Sequence, residues 1–211
     1  MAFHPRLVAF DLDGTLAESK QRVSSNMGEL IAQLLKKMPV AVMSGAGWTQ
    51  FEKQFFSALP IDANLNNLYI FPDNAAQCFV YRAGEWKPQY DQAFSQAERE
   101  HILKELDLAL KEAGLFEIPV RVWGQRVEDR GAEIVFSGLG QEAPLDAKLA
   151  WDKTGEKRKT LRDALARRLP EFSEATGGST SVDITRKGIT KAYGVKRLVE
   201  LTSVPIAQML Y

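Results

Sequence analysis

The chain has little of several features that mark particular classes of protein. It has one cysteine, Cys78, in 211 residues, which excludes an internal disulfide framework and indicates a reducing compartment. Lys+Arg and Asp+Glu both number 27, and this balance disfavours a generic binder of nucleic acid or of an anionic membrane. No apolar run approaches the roughly 20 residues of a membrane-spanning helix, and the N-terminal one is too short for a signal peptide. These absences predict a cytoplasmic protein.

The residues that are present are typical of an ordinary globular chain. The sequence is 45% hydrophobic, 26% charged and 9% aromatic. At about 150 residues per domain, its length allows one large domain or two modest ones. Basic residues are concentrated around a predicted helix at 161–169, which is interpreted as a solvated face and not as a nucleic-acid site. A Walker phosphate loop and a dinucleotide-binding fingerprint are both absent from the sequence.

The first third of the chain alternates short apolar runs with amphipathic segments. The apolar runs predict buried strands at 7–10, 39–43 and 68–71. Apolar residues at helical spacing after Ser24 predict one helix, and a second is predicted at 48–59. Strands without polar alternation that are separated by helices indicate a parallel sheet covered on both faces.

The pattern changes after about residue 80. A hairpin is predicted around Ala83-Gly84, followed by a long amphipathic helix at 97–113. Strands with polar neighbours on alternate positions, which indicate a sheet with one wet face, are predicted at 120–122, 134–136 and 181–184. A helix at 192–200 and a strand-like segment at 206–211 return to the first pattern. The layout predicts a parallel α/β core (1–88 and 187–211) interrupted by an α+β insertion (89–186).

The strongest chemical signal is the run Asp11-Leu12-Asp13-Gly14-Thr15, directly after the first predicted strand. Carboxylates at i and i+2 point the same way off an extended chain. At the carboxyl end of a parallel strand they lie where open α/β sheets bind ligands. Two close carboxylates repel each other, and a divalent cation that prefers oxygen ligands, such as Mg²⁺, relieves this repulsion. A plain surface turn is the alternative, but such a string is rare at average residue usage.

This run resembles the nucleophile motif of the haloacid dehalogenase (HAD) superfamily of phosphatases and phosphomutases. The resemblance implies a Rossmann-like parallel-sheet core in which Asp11 forms an aspartyl-phosphate and Asp13 is the general acid/base, with Mg²⁺ held at both residues. It also implies that Ser44 and Gly45 form the second motif, a hydroxyl and backbone amides that hold the transferred phosphoryl group. The third motif, a lysine that neutralises phosphoryl charge, matches Lys191.

The insertion lies where members of subclass IIB carry an α+β cap domain. Its run GGSTSVD is similar to a segment of eukaryotic-type phosphomannomutases. That resemblance implies that Arg130 binds the distal phosphate of the substrate and that Ser181 and Asp183 contact the sugar phosphate. Where the phosphomannomutase pattern has an asparagine and a second arginine, this chain has Val135 and Gln141. Fewer phosphate-binding groups weaken retention of a bisphosphate intermediate, so phosphatase and mutase activity are ranked level.

Two departures leave alternatives open. The family's fourth motif, a glycine–aspartate sequence that completes the metal site, has no counterpart before Tyr211. Either the chain is a fragment of a longer protein or it is catalytically impaired, which makes a phosphosugar-binding protein the alternative function. Lys187 competes with Lys191 as the third motif, although the spacing from Gly188 favours Lys191. A nucleotide-binding regulatory domain is disfavoured because the chain lacks a glycine-rich loop.

The sequence therefore predicts a Mg²⁺-dependent phosphoryl-transfer enzyme. Its expected substrate is a small phosphorylated metabolite, with a hexose phosphate preferred. No nucleic-acid or membrane partner is expected, and assembly as a homodimer is allowed.

Overall fold

The computed structural model describes residues 4–18 and 21–211. It divides into two compact units, the first formed by Met1–Gln92 and Ile189–Tyr211 and the second by Ala93–Gly188. The strands are β1 (Leu7–Asp11), β2 (Val40–Met43), β3 (Leu68–Phe71), β4 (Gln77–Arg82), β5 (Glu85–Asp91), β6 (Val127–Asp129), β7 (Glu133–Ser137), β8 (Phe172–Gly177), β9 (Ser181–Arg186) and β10 (Met209–Leu210). The helices are α1 (Ser25–Leu35), α2 (Trp48–Gln54), α3 (Gln96–Glu112), α4 (Leu145–Trp151), α5 (Glu156–Arg168) and α6 (Lys191–Thr202).

The first unit contains a six-stranded sheet in the order β10-β1-β2-β3-β4-β5. The four strands from β10 to β3 are parallel, as expected for a Rossmann-like core. The β4–β5 hairpin extends this sheet with two antiparallel strands. Strand β5 continues to Asp91, which is why the first unit extends beyond the expected boundary at residue 88.

Both faces of the first sheet are covered, because successive residues of its buried strands point to opposite sides. On one side, Val40 and Val42 of β2 pack in a cluster with apolar residues of α1 and α2. On the other side, Ala41 and Met43 pack in a cluster with Leu198 of α6. The four residues of β2 are all buried, which explains the absence of polar alternation in this strand. The expected parallel α/β core, covered on both faces, is confirmed.

The helix α1 begins at a conventional cap, since the Ser24 Oγ accepts a hydrogen bond from the Met27 backbone N–H at 3.2 Å. One turn later, Gly28 contacts the backbone of the turn that follows α2. A Cβ at Gly28 would lie 2.0 Å from the Ala58 carbonyl oxygen, well inside van der Waals contact. Glycine is therefore required here by a close approach of backbone and not by backbone dihedral angles.

We expect Gly28→Ala to destabilise the protein by about 1–3 kcal/mol, because α1 must move away from the Ala58 carbonyl. At an unobstructed helical site the same change usually stabilises a protein by roughly 0.5–1 kcal/mol, so the expected sign is reversed. Urea denaturation would measure the difference. Glu29→Ala, at an exposed position of the same helix, is the control and should change stability little. An unchanged or raised midpoint for Gly28→Ala would contradict the close packing.

The second unit contains a four-stranded antiparallel sheet in the order β6-β7-β9-β8. Helices α3 and α5 cover one face, where the sheet contributes Ile134, Phe136, Val182 and Ile184 to an apolar core. The opposite face carries a set of residues that is largely polar, namely Glu133, Val135, Ser137, Ser181 and Asp183. The α+β character expected for the insertion agrees with this arrangement.

Several details of the predicted elements are wrong. The helix predicted at 48–59 ends at Gln54, and a separate 3-10 turn follows at Phe56–Ala58. The segment 120–122 is not a strand: Val120 is fully exposed, and strand β6 begins only at Val127. At 206–211 a 3-10 turn precedes the short strand β10. Helix α4 and strand β8 were not predicted, because most of their residues are exposed or half-buried and show no clear apolar pattern.

None of the helices within residues 4–18 and 21–211 has the length and apolar character needed to cross a membrane.

Candidate active site

The expected catalytic residues of the first unit lie at the carboxyl ends of neighbouring parallel strands. Asp11 is the last residue of β1 and is opposite Met43, the last residue of β2. Ser44 follows Met43 directly. Because parallel strands all end at the same edge of a sheet, two segments far apart in sequence present their polar residues together. The N-terminus of α6 brings Lys191 to the same edge.

Asp11 and Lys191 form an ion pair at this edge. The Lys191 Nζ donates to the Asp11 Oδ2 at 2.5 Å, and the Leu12 backbone N–H donates to the Asp11 Oδ1 at 2.8 Å. The two charged side chains are 34% and 32% exposed, so the pair is accessible from solvent. A cation in this position can neutralise negative charge that is brought to Asp11. Tyr211 lies close by, and burial raises the pKa of its phenol, as does the Asp11 charge, against the opposing effect of Lys191.

Asp13 is hydrogen-bonded through both of its carboxylate oxygens. The Gln54 Nε2 donates to its Oδ1 at 3.0 Å, and the Ser44 Oγ donates to its Oδ2 at a longer 3.5 Å. Behind Asp13, the chain turns at Gly14, whose φ of +76° is the left-handed conformation that glycine adopts without strain. The Gly14 N–H then donates to the Ala17 carbonyl at 2.7 Å, which closes the turn.

The loop that carries Ser44 and Gly45 is held by the loop after β3. The Asn74 N–H donates to the Ser44 carbonyl at 2.9 Å, and the Asp73 N–H donates to the Ala46 carbonyl at 3.1 Å. A Cβ at Gly45 would lie 3.3 Å from the Asn74 Nδ2, so the side chain of Asn74 packs directly on this glycine. Ser44 itself is 1% exposed, and its Oγ accepts from the Ala46 N–H at 3.0 Å. Ser44 is thus held in a fixed position.

Asp73, Asn74 and Ala75 have positive φ values of 49°, 54° and 70°. Three consecutive non-glycine residues in this region are unusual, and such conformations are concentrated at functional sites. Here the conformation directs two successive N–H groups at the Ser44 loop. Neither Asp73 nor Asn74 was predicted as a site residue, although the Pro-Asp-Asn run after a buried strand is a recognisable turn signal.

Gln54, which is 2% exposed at the end of α2, was also not predicted as a site residue. The signal for it was weak but present. Gln54 lies three residues after the buried Phe51 and directly before the buried Phe55, which places a polar side chain on the apolar stripe of the helix. A buried amide requires a hydrogen-bond partner, and Asp13 supplies one.

Arg130, Ser181 and Asp183 belong to the second unit. Ser181 and Asp183 are alternate residues of β9 and therefore point to the same face of their sheet. Burial raises the pKa of Asp183, while the charge of Arg130 acts in the opposite direction. A Cβ at Gly177 on the neighbouring strand would lie 2.3 Å from the Asp183 Oδ2, so this glycine makes room for the carboxylate.

The guanidinium of Arg130 is bound by two carboxylates. Its Nη2 donates to the Glu128 Oε2 at 2.8 Å, and its Nη1 donates to the Glu133 Oε2 at 3.0 Å. Burial by itself would lower the pKa of Arg130, but the two glutamates outweigh burial and raise it. The side chain of Glu133 is only 3% exposed, so this carboxylate is buried together with the guanidinium charge. An anionic ligand would have to compete with both glutamates for Arg130.

The oxygen ligands around Asp11 and Asp13 fit a magnesium site that is built from few protein groups. Within residues 4–18 and 21–211, no three His, Cys, Asp or Glu side chains lie close enough together to form a cage of protein ligands. The site does hold two carboxylates, Asp11 and Asp13, whose oxygens are the ligand type that Mg²⁺ prefers. Mg²⁺ commonly binds through one or two carboxylates and completes its shell with waters and substrate phosphate. The residues present suit that arrangement.

Comparison with known proteins places the chain in a family. The family model for eukaryotic phosphomannomutase matches residues 27–204. The phosphomannomutase of Spinacia oleracea is 26% identical over 214 residues, which cover 97% of this chain and 82% of that protein.

Solved structures share the fold. A haloacid dehalogenase-like hydrolase from Bacteroides thetaiotaomicron matches 97% of this chain and 80% of its own, with a TM-score of 0.63 and 15% identity. The Plasmodium falciparum IMP-nucleotidase matches 98% of this chain with a TM-score of 0.66 and 14% identity; this chain spans 58% of its length. The fold is thus that of a haloacid dehalogenase-like hydrolase. Since the family model covers most of the sequence, the chain belongs to the eukaryotic phosphomannomutase family.

Proposed function

We propose that this protein transfers the phosphoryl group of a small phosphorylated sugar through an aspartyl-phosphate on Asp11. The observation that carries the proposal is the ion pair between Asp11 and Lys191 at 2.5 Å, at the edge where a second carboxylate, Asp13, also lies. A carboxylate is a workable covalent acceptor of phosphorus, and phosphoryl transfer depends mainly on positioning and charge neutralisation. The family's name and its curated relatives support a phosphosugar as substrate.

In the first step, an oxygen of the Asp11 carboxylate forms a bond to phosphorus while the bond from phosphorus to the sugar oxygen breaks. Asp13 donates a proton to that departing oxygen, so the sugar leaves as a neutral alcohol. Lys191 balances the negative charge of the phosphoryl group, and the Ser44 hydroxyl with the amides of its loop holds the phosphoryl oxygens. The products of this step are the free sugar and the phosphorylated Asp11.

In the second step, Asp13 is ionised and accepts a proton from an incoming water. The water oxygen bonds to phosphorus, the bond between phosphorus and Asp11 breaks, and inorganic phosphate leaves. Asp11, through its carboxylate, and Asp13, through its backbone carbonyl, would hold Mg²⁺ beside these groups. When bound, the cation neutralises charge on the phosphoryl oxygens and lowers the repulsion between the two carboxylates.

We favour hydrolysis over a mutase reaction because of Arg130. We propose that Ser181 and Asp183 contact the sugar phosphate, as the family resemblance implies; the same resemblance assigns Arg130 to a distal phosphate. A mutase must retain a bisphosphate, and a distal phosphate would have to share Arg130 with Glu128 and with the buried Glu133. Because these two carboxylates already balance the guanidinium charge, Arg130 attracts a second phosphate less strongly than an unpaired arginine would, which disfavours its retention. The serine and aspartate suit sugar hydroxyls, which both donate and accept hydrogen bonds.

The alternative is a phosphosugar-binding protein without turnover. It is favoured by the lack, among the residues that the structure describes, of a third acidic side chain at the metal site. We also propose a cytoplasmic location and a small-molecule partner in place of nucleic acid or membrane, with a homodimer as the candidate assembly.

One experiment separates these functions. The purified chain is incubated with a hexose 6-phosphate and Mg²⁺, and the phosphorus NMR spectrum is followed with time. We expect inorganic phosphate to accumulate and to exceed any isomeric sugar phosphate. The rate of its release should fall strongly when a chelator removes the cation. Dominant formation of the isomer would identify a mutase. Calorimetric binding with no product at any Mg²⁺ concentration would identify the binding protein.

A further inference from the structure

We propose that Gln54 is a positioning residue for Asp13, the acid/base of the proposed reaction, on which this inference rests. Its side chain is buried, at 2% exposure, and its Nε2 donates to the Asp13 Oδ1 at 3.0 Å. That contact is shorter than the 3.5 Å bond from the Ser44 Oγ to the Asp13 Oδ2. Of these two hydrogen bonds to the Asp13 side chain, the shorter one therefore comes from a residue outside the motifs described above.

The orientation of the Gln54 amide follows from its two neighbours. An ionised carboxylate only accepts hydrogen bonds, so the side facing Asp13 must be the NH₂ group. The opposite atom, Oε1, then accepts from the Gln50 Nε2 at 3.0 Å. If the amide were reversed, two oxygens would face each other at the Asp13 contact. The order Gln50–Gln54–Asp13 is thus a directed chain of hydrogen bonds that ends on the carboxylate.

The helix holds Gln54 rigidly in this position. Phe51 and Phe55, which precede and follow it in sequence, are fully buried. Their rings pack edge to face, with the ring centroids 6.4 Å apart. The Gln54 carbonyl also accepts a hydrogen bond from the Val23 N–H at 2.9 Å. A side chain that is locked by packing can hold a reacting group within the narrow tolerance that catalysis requires.

The consequence concerns which oxygen of Asp13 exchanges a proton. With Oδ1 engaged by the Gln54 N–H, Oδ2 is the oxygen directed toward the Ser44 loop, where the phosphoryl group is proposed to bind. Gln54 therefore presents Oδ2 to the leaving sugar oxygen. Loss of this contact removes the shorter of the two hydrogen bonds described above, so the carboxylate is held less firmly. Proton donation to a poor leaving group then suffers, while nucleophilic attack by Asp11 does not.

The test compares two substrates with Gln54→Met, which keeps the length of the side chain and removes the amide. A sugar alkoxide needs a proton to leave, whereas para-nitrophenolate is stable without one. Because kcat/KM reports the steps up to formation of the phosphoryl-enzyme, we expect kcat/KM for a hexose phosphate to fall by about 10- to 100-fold and that for para-nitrophenyl phosphate by less than about 3-fold. Gln50→Met, which leaves the Asp13 contact in place, is the matched control and should change both values by less than about 3-fold.

Each outcome has a defined meaning. An equal loss for both substrates would show that Gln54 is only structural, and no loss for either would show that Asp13 does not depend on it; both results overturn the inference. Thermal unfolding of Gln54→Met checks that the fold is retained, and Gln54→Leu, which also lacks the amide and adds no charge beside Asp13, repeats the comparison if the first variant is unstable. Absence of turnover in the unsubstituted protein would instead refute the proposed function.

Discussion

Asp11→Asn is expected to lower phosphate release from a hexose phosphate on the order of 10⁴-fold or more. The asparagine amide keeps the shape of the side chain but lacks the negative oxygen that bonds to phosphorus, and removal of a nucleophile is among the largest single losses that enzymes show. The measurement is steady-state release of inorganic phosphate in the presence of Mg²⁺. Mass spectrometry of acid-quenched protein should also detect a phosphorylated aspartate in the unsubstituted chain and none in Asp11→Asn.

Asp62→Asn is the matched control for this experiment. Asp62 is an exposed aspartate of the same unit, with only a surface ion pair to Lys36 at 3.7 Å, so its replacement should leave turnover and stability nearly unchanged. If Asp11→Asn retained the turnover of the unsubstituted protein, even with the good leaving group of para-nitrophenyl phosphate, Asp11 would not be the nucleophile. The ion pair with Lys191 would then have only a structural role.

Lys191→Met should lower kcat/KM by about 10²- to 10³-fold, because a positioned donor that stabilises transition-state charge contributes this much. The loss should be similar for hexose phosphate and para-nitrophenyl phosphate, since charge on the phosphoryl group develops with both. In this respect Lys191→Met differs from Gln54→Met, for which the loss is expected to depend on the leaving group. Initial rates with both substrates measure the difference.

Lys187→Met is the control for Lys191, because Lys187 is the lysine that competes with it in the sequence. The Nζ of Lys187 donates to the Pro170 carbonyl within the second unit, and Lys191 is the one that contacts Asp11. A small effect for Lys187→Met together with a large one for Lys191→Met supports the proposed role. The reverse order of effects would assign the third motif to Lys187.

The parts of the fold that sequence predicted well are those formed by local interactions. Strand β3 was predicted with its observed limits, and α1 was predicted after Ser24, the residue that caps it. An apolar run, a capping hydroxyl and a glycine turn each act over a few residues, so they can be recognised from the sequence alone. The prediction of a strand at 120–122 was wrong because a strand also needs a neighbouring strand to pair with. The alternation Val-Arg-Val contains no information about such a partner.

The environment of each candidate residue depended on contacts between distant segments. Gln54 lies 41 residues from Asp13, its hydrogen-bond partner, and Lys191 lies 180 residues from Asp11. The matching motifs suggested that Asp11 and Lys191 act together, but they contained no indication that an amide on α2 holds Asp13. The glutamates that bind Arg130 are close in sequence, yet whether they face the guanidinium or solvent depends on how β6 and β7 pair.

By itself, the sequence placed a pair of carboxylates at the end of a predicted buried strand, in an α/β chain without charge excess or disulfides. Local backbone preferences and residue chemistry suffice for that placement, whereas the phosphoryl-transfer chemistry followed from the resemblance of the motif to the HAD superfamily. The tertiary structure decided the hydrogen-bond partners of those carboxylates and the pairing of Arg130 with two glutamates. These follow from sheet register and helix packing, which bring together groups that no local pattern connects.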